Sequence, residues 1–461
     1  MPVTPAWART SRERLMVTRL RAGRWRMLLR GWRLAAALAV LIAASLPARA
    51  ERLGAYDYPF VDPILATVVA TPTAFQPPNL PNLEETRLLE RRWIRPFPAR
   101  PVPPVFWYEY PGVEVGFARQ NGPAPLVVVV AGTGGSARSL TTINVAQALY
   151  YGGYHVLTVP SPTSLDFIVQ GSQTGVPGRQ RDDARDLYRL IELALGDVRG
   201  QVDWTSVNLI GFSLGGMNAA FLAELDAREH RIGFNKVLVL NPPVSLYNST
   251  KILDDMFDRY LGSQPGAFKA YLDELVKKFS KIYLASSGQV DLTGDYLYRI
   301  FRVLEPTNED LQTLVGVVFR LAASTISFSA DVITRSGYMV PADAELSATT
   351  PLGDYSRVAA ALTFRDYITG LFVPFFARQE PGYTLDFAIK NESLHSIEGF
   401  LRSARNVALI TNEDDIILAP GELHYLEQVF GDRATIYPTG GHCGNFTQHE
   451  YVDRINAYFR P

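Results

Sequence analysis

The chain has 461 residues, 47% of them hydrophobic and 20% charged, which excludes a disordered protein and allows one large domain or two ordinary ones. Its formal charge of −1 hides an asymmetry, because the first 50 residues hold ten arginines and one glutamate and leave 35 basic against 45 acidic residues beyond Ala50. That remainder, near −10, excludes nucleic acid and an anionic membrane as partners, since both need a basic surface.

Residues 1–50 pass from the arginine-rich stretch into "LAAALAVLIAASL" (Leu34 to Leu46) and end on "ARA" at Ala50, the order of a cleavable secretory signal peptide. A run of about 13 apolar residues is shorter than the roughly 20 of a spanning helix, so no stable membrane anchor is expected after cleavage. The basic stretch is long, and Met16 or Met27 is an alternative start. Cys443 is the only cysteine, which excludes an intrachain disulfide and leaves no cysteine after the apolar run to carry a lipid. A soluble periplasmic or secreted bacterial protein fits these features; the oligomeric state is not legible.

From Glu51 to Pro111 prolines and aromatics alternate ("PPNLPNLEE", "RPFPARPVPPVF"), predicting an extended arm, residues 51–112, docked on the surface and carrying the first strand. Strands are predicted at "VFWYEY" (Val105 to Tyr110), "VEVGFAR" (Val113 to Arg119) and "PLVVVVAG" (Pro125 to Gly132), the last apolar throughout as in a strand buried on both faces. Strand and helix patterns then alternate through "INVAQALYYGG", "YHVLTVPSP", "RDDARDLYRLIELAL", "VNLIGF" and "NKVLVLNPP". Such alternation predicts an α/β fold, a mostly parallel sheet with helices on both faces and binding groups at the carboxyl ends of its strands.

The rhythm stops at Asn241 and resumes at "NVALITNEDD" (Asn406 to Asp415). The intervening stretch is too long for one loop. Its segments "STKILDDMFDRYL", "AFKAYLDELVKKFSKIYLA" and "EDLQTLVGVVFRLAA" have helical periodicity. The expected organisation is a core of residues 113–241 and 396–461, with residues 242–395 as a largely helical cap above the strand ends.

"VNLIGFSLGGMNAA" (Val207 to Ala220) sets Ser213 between glycines where an apolar strand gives way to helix formers. A serine on a strand-to-helix turn needs small neighbours two residues either side, because the turn is tight and the helix packs close to the sheet. A serine hydroxyl is a weak nucleophile until a base takes its proton, and that base needs an orienting acid. Among six histidines, His442 stands in "YPTGGHCGNF", directly after the strand-like "ATIY". The acid is expected after the preceding strand, which offers Glu413, Asp414 and Asp415. Asp415 is favoured because the following "IIL" can pack beneath it; Asp414 is the reserve and is expected to face solvent. An oxyanion hole needs two N–H donors, assigned to Leu214, after the serine, and Thr133 in the loop "AGTGGS". That loop lacks the lysine of a P-loop and the spacing of a dinucleotide site.

The order serine, acid, histidine, the G-x-S-x-G turn at Gly211 to Gly215 and the "VVVVAGTGGS" loop resemble the α/β-hydrolase superfamily. The resemblance covers about Val113 to Asn241 and Ser396 to Pro461. It implies a serine hydrolase acting on an ester or related acyl bond, with Ser213 attacking, His442 moving the proton and Asp415 orienting His442. It implies no metal or organic cofactor, and a small or lipid-like acyl substrate. One departure is Ala131-Gly132, where many members have His-Gly; the backbone donor remains but a side chain that often braces the loop is gone. The other position that hosts the acid in such sheets is Asn241. The same machinery serves acyltransferases, and a non-catalytic envelope binding protein could keep the fold.

Overall fold

A computed structural model describes residues 49–78, 80, 88–106, 112–261, 270–271, 273–274, 277 and 305–460. The expected signal peptide lies almost wholly outside the described residues, and so does most of "AFKAYLDELVKKFSKIYLA".

Nine strands form one sheet: β1 (Glu51–Arg52), β2 (Glu90–Ile94), β3 (Val113–Ala118), β4 (Ala124–Val130), β5 (His155–Val159), β6 (Trp204–Phe212), β7 (Val237–Leu240), β8 (Val407–Asn412) and β9 (Ala434–Tyr437). Their order is β1-β9-β8-β7-β6-β4-β5-β3-β2. Only β3 runs against its neighbours, β2 and β5; the other pairs are parallel.

Period-2 alternation builds the two cores. In β4, Leu126, Val128 and Val130 join one apolar layer while Val127 and Val129 join the other. β7 divides in the same way, with Val237 and Val239 on one face and Leu238 and Leu240 on the other. Helices Gln180–Val198 and Leu214–Glu229 cover the first face, whereas Leu140–Tyr151 and His449–Phe459 cover the second. From β4 the chain goes to β5 on one side and then to β6 on the other. The crevice at this reversal lies above the ends of β4 and β6, where binding groups collect in open α/β sheets.

The strand expected at Val105 to Tyr110 is corrected. Val105 and Phe106 close a 3-10 turn, Pro104–Phe106, and residues 107–110 lie outside the described residues. β2 is the strand that pairs with β3, with Glu90 opposite Phe117 and Ile94 opposite Val113. Other described residues of the arm lie against the sheet. β1 extends the sheet beside β9, the Tyr56 ring packs edge-on against Tyr437 at 4.9 Å, and a seven-residue helix, Pro63–Val69, follows.

Between β7 and β8 the described elements are helices, including Leu246–Leu261, the 27-residue Asn308–Thr334, and Gly353–Ala361, with residues 335–352 in turns and irregular structure. The insertion leaves and rejoins the core at one neck, where Leu394 N–H donates to the Val244 carbonyl at 2.8 Å and Leu246 N–H to the Glu392 carbonyl at 3.3 Å. Asn308–Thr334 is long and apolar enough to cross a membrane, yet its buried stripe carries Arg320 and Asp331, each paired within the insertion. Its own apolar layer gathers Ala323, Ile326, Ile368, Phe372 and Phe376.

Candidate active site

Ser213 occupies the turn between β6 and helix Leu214–Glu229 with φ 55° and ψ −129°, a conformation a β-substituted residue adopts only where its surroundings enforce it. Its N–H donates to the Leu240 carbonyl at 2.9 Å and its carbonyl accepts from Gly216 N–H at 2.9 Å. The glycines are needed for close approach. A Cβ at Gly211 would lie 1.9 Å from the Gly215 carbonyl oxygen, and one at Gly215 would lie 2.3 Å from that of Val130.

The fold brings Ser213, His442 and Asp415 together. Ser213 Oγ is 2.9 Å from His442 Nε2, placed to donate its hydroxyl hydrogen. His442 Nδ1 lies 3.0 and 3.1 Å from the two carboxylate oxygens of Asp415. The Asp415 side chain is fully buried, and its remaining contacts are the amide of Asn241 at 2.8 Å and the N–H of Ile417 at 3.1 Å. Burial opposes a charged imidazole here, yet the Asp415 carboxylate, joined by Cys443, outweighs it and raises His442 well above its ordinary pKa.

Asp414 is not the solvated residue its sequence position suggests. It is half-buried and accepts from Gly441 N–H at 2.9 Å and Gly440 N–H at 3.2 Å, so it holds the histidine loop. Burial pushes its carboxyl up to about 6 against those two hydrogen bonds. The exposed member of the acidic turn is Glu413, which pairs with Arg52 at 3.1 Å.

Several supports are absent from the sequence reading. The N–H of His442 donates to Thr67 Oγ1 at 2.8 Å, and Thr67 belongs to the arm helix, 375 positions away. That helix lies so close that a Cβ on Gly441 would meet the Pro63 carbonyl at 2.1 Å. Asn241, at the alternative position for the acid, orients Asp415 instead. Its signal was visible as a polar residue ending an apolar strand, whereas nothing near Thr67 marks it.

Thr133 and Leu214 line the cleft beside Ser213 and His442. Leu214 is the first residue of its helix, so its N–H has no partner within the helix. Among the described residues no backbone carbonyl accepts from Thr133 N–H. Their loop is braced without the missing histidine. Gly134 N–H donates to Thr163 Oγ1 at 2.8 Å, Thr163 shares a 2.8 Å hydrogen bond with Ser161, and Ser161 N–H donates to the Gly135 carbonyl at 2.9 Å. Ser161 and Thr163 come from the loop after β5, adjacent to β4 in the sheet.

The far walls of the cleft are apolar and come largely from the insertion, with Leu253, Phe319, Ile326, Phe364, Ile368 and Phe372.

No protein-family model matches the chain, and no curated protein sequence does. Among solved structures it is similar to a thioesterase domain from the curacin biosynthetic pathway, at 11% identity over 80% of this chain and 98% of that one, TM-score 0.34. A membrane phospholipase A, a bacterial virulence factor, shares 12% identity over 81% of this chain and 86% of that one, TM-score 0.38. The Pyrococcus furiosus esterase Pf2001 shares 12% over 82% and 98%, TM-score 0.38. The mostly parallel sheet, the serine turn after β6 and the histidine loop after β9 define an α/β-hydrolase fold. Between β7 and β8 this fold carries an insertion whose described elements are helices.

Proposed function

We propose that the protein is a serine hydrolase of esters or related acyl bonds. The observation that carries this reading is the continuous hydrogen-bonded line from Ser213 Oγ through His442 to buried Asp415, ending on an apolar cleft. Ser213 Oγ attacks the acyl carbonyl while His442 Nε2 takes its proton, and Asp415 stabilises the imidazolium that forms. The N–H groups of Thr133 and Leu214 receive the oxyanion of the tetrahedral intermediate. Collapse expels the alcohol, which takes the proton from His442, and leaves an acyl group on Ser213. Water, deprotonated by His442, attacks that ester and releases the acid, restoring the serine.

The arginine-rich start, the apolar run and "ARA" at Ala50 support export with cleavage before Glu51. Amino-terminal sequencing of protein from the periplasm checks the cleavage. The catalytic reading is tested by treating the purified protein with a fluorophosphonate and mapping the adduct by mass spectrometry. Modification of Ser213 is expected, together with turnover of simple esters. A protein that is neither labelled nor active on any ester defeats the reading.

A further inference from the structure

The cleft at Ser213 is apolar along most of its wall, and among the described residues its one carboxylate is Glu392. Glu392 is 7% exposed and stands at the neck of the insertion. Its Oε2 accepts from Gln180 N–H at 2.7 Å and its Oε1 from the Tyr383 hydroxyl at 2.8 Å. An ionised carboxylate offers about four acceptor positions, so each oxygen of this cleft-lining residue retains one; burial pushes the carboxyl up to about 7, so the acceptor form prevails above neutral pH. The acyl-transfer chemistry makes no use of it, because the partner of His442 is Asp415.

Other polar groups of the wall act in the same sense. The hydroxyls of Ser249, Thr250 and Tyr367 donate to the carbonyls of Ile417, Tyr247 and Pro177 at 2.8, 2.9 and 2.8 Å, which leaves their oxygens to the cleft as acceptors. Of the other wall hydroxyls, Thr163 shares its hydrogen bond with Ser161 and Ser213 meets His442, while for Thr133 and Tyr247 no hydroxyl bond to a carbonyl is seen among the described residues. Away from the reacting serine the polar groups of the cleft are few, and Glu392 with the hydroxyl oxygens of Ser249, Thr250 and Tyr367 supplies acceptors among them. A plain alkyl chain would press methylenes against a buried carboxylate and strip its remaining hydration without return.

We infer that Glu392 is a specificity-determining residue that accepts a hydrogen bond from a hydroxyl or amine on the substrate's acyl chain. The substrate class is then an apolar acyl ester bearing a hydrogen-bond donor, in preference to a simple fatty ester. This rests on the hydrolase reading above.

The test compares, at about pH 8 where Glu392 is mostly ionised, kcat/KM of the full chain on p-nitrophenyl alkanoates of four to ten carbons with their ω-hydroxy and ω-amino counterparts. At a matching length, at least one donor series is expected to exceed the plain alkanoate tenfold or more, the scale of a buried hydrogen bond to a charged group. A gain confined to one series identifies the donor as hydroxyl or ammonium. Glu392→Gln should remove most of an amine preference, and Glu392→Leu should turn the ratio toward the alkanoate for either donor. No advantage at any length in the natural chain, or an advantage untouched by both substitutions, overturns the inference. Because Glu392 also holds Gln180 and Tyr383, its variants can fail to fold; the ratios of the natural chain then decide alone. A natural chain labelled at Ser213 but without the preference defeats this inference only, whereas an unlabelled and inactive chain defeats the hydrolase reading.

Discussion

The carboxyl ends of the sheet and the helical insertion meet at one cleft but are held by different forces. At the sheet, positions are fixed by backbone in contact with backbone and by buried hydrogen bonds, as at Gly215 against Val130 and Asn241 on Asp415. The insertion adds to buried hydrogen bonds, such as those on Asp254 and Asp331, a larger share of ring contacts and ion pairs, including Phe372 with Phe376 at 5.0 Å, Arg320 with Asp258 at 3.0 Å and Arg365 with Asp258 at 2.9 Å. It also leaves Val318, Leu321 and Val358 exposed. Contacts that admit no adjustment suit reacting atoms, whereas side-chain packing tolerates exchange of volume. Under the hydrolase reading proposed above, reactivity then belongs to the sheet and selection of the acyl group to the insertion.

The largest effect should come from the sheet side. Ser213→Ala is expected to fold, lose fluorophosphonate labelling and lose on the order of 10⁴ to 10⁶ in turnover, since members of such a unit are not additive. Retained turnover would remove Ser213 from the reaction.

Asp415→Asn should lower turnover by about 10⁴, the scale for the corresponding change in a serine protease. It also tests the electrostatics. Asp415 raises the pKa of His442 against the opposing effect of burial, so removing its charge lets burial dominate and the pKa falls. His442 acts as a base when neutral, and the acid limb of kcat/KM should therefore move to lower pH. A limb that stays in place would show that another group titrates there.

Asp414→Asn sharpens the comparison within the same turn. The amide keeps the size but replaces one acceptor facing Gly440 and Gly441 with a donor, so the histidine loop shifts. A decrease of about ten- to a hundredfold in kcat is expected, the cost of displacing a positioned group by a fraction of an ångström to one ångström. Unlike Asp415→Asn, it should leave the acid limb of kcat/KM near its original pH. An effect below twofold would return Asp414 to the role of a surface charge.

The smallest effect should come from the insertion. Phe319→Ala widens the cleft wall and should move the ratio of kcat/KM for branched over linear acyl esters by up to about tenfold. If all esters instead slow equally, the insertion positions the reacting atoms as well, and the division drawn above fails.

Sequence alone carried the alternation of strands and helices, the turn at Ser213 and the loop at His442, because each is written in neighbouring residues through side-chain period and glycine placement. It narrowed the acid to adjacent residues without separating their orientations. In the tertiary structure the Asp415 carboxylate turns inward to His442 and Asn241, while that of Asp414 lies on Gly440 and Gly441. The tertiary structure also decided which segment pairs with β3 at the edge of the sheet. "ERRWI" in β2 has no apolar alternation, because it is an edge strand whose Arg91 and Arg92 pair with Glu114 and Asp197. Thr67 under His442, and Ser161 and Thr163 under the Thr133 loop, belong to the same class. Their roles come from partners that only the folded sheet brings into reach, and a local pattern carries no record of such a partner.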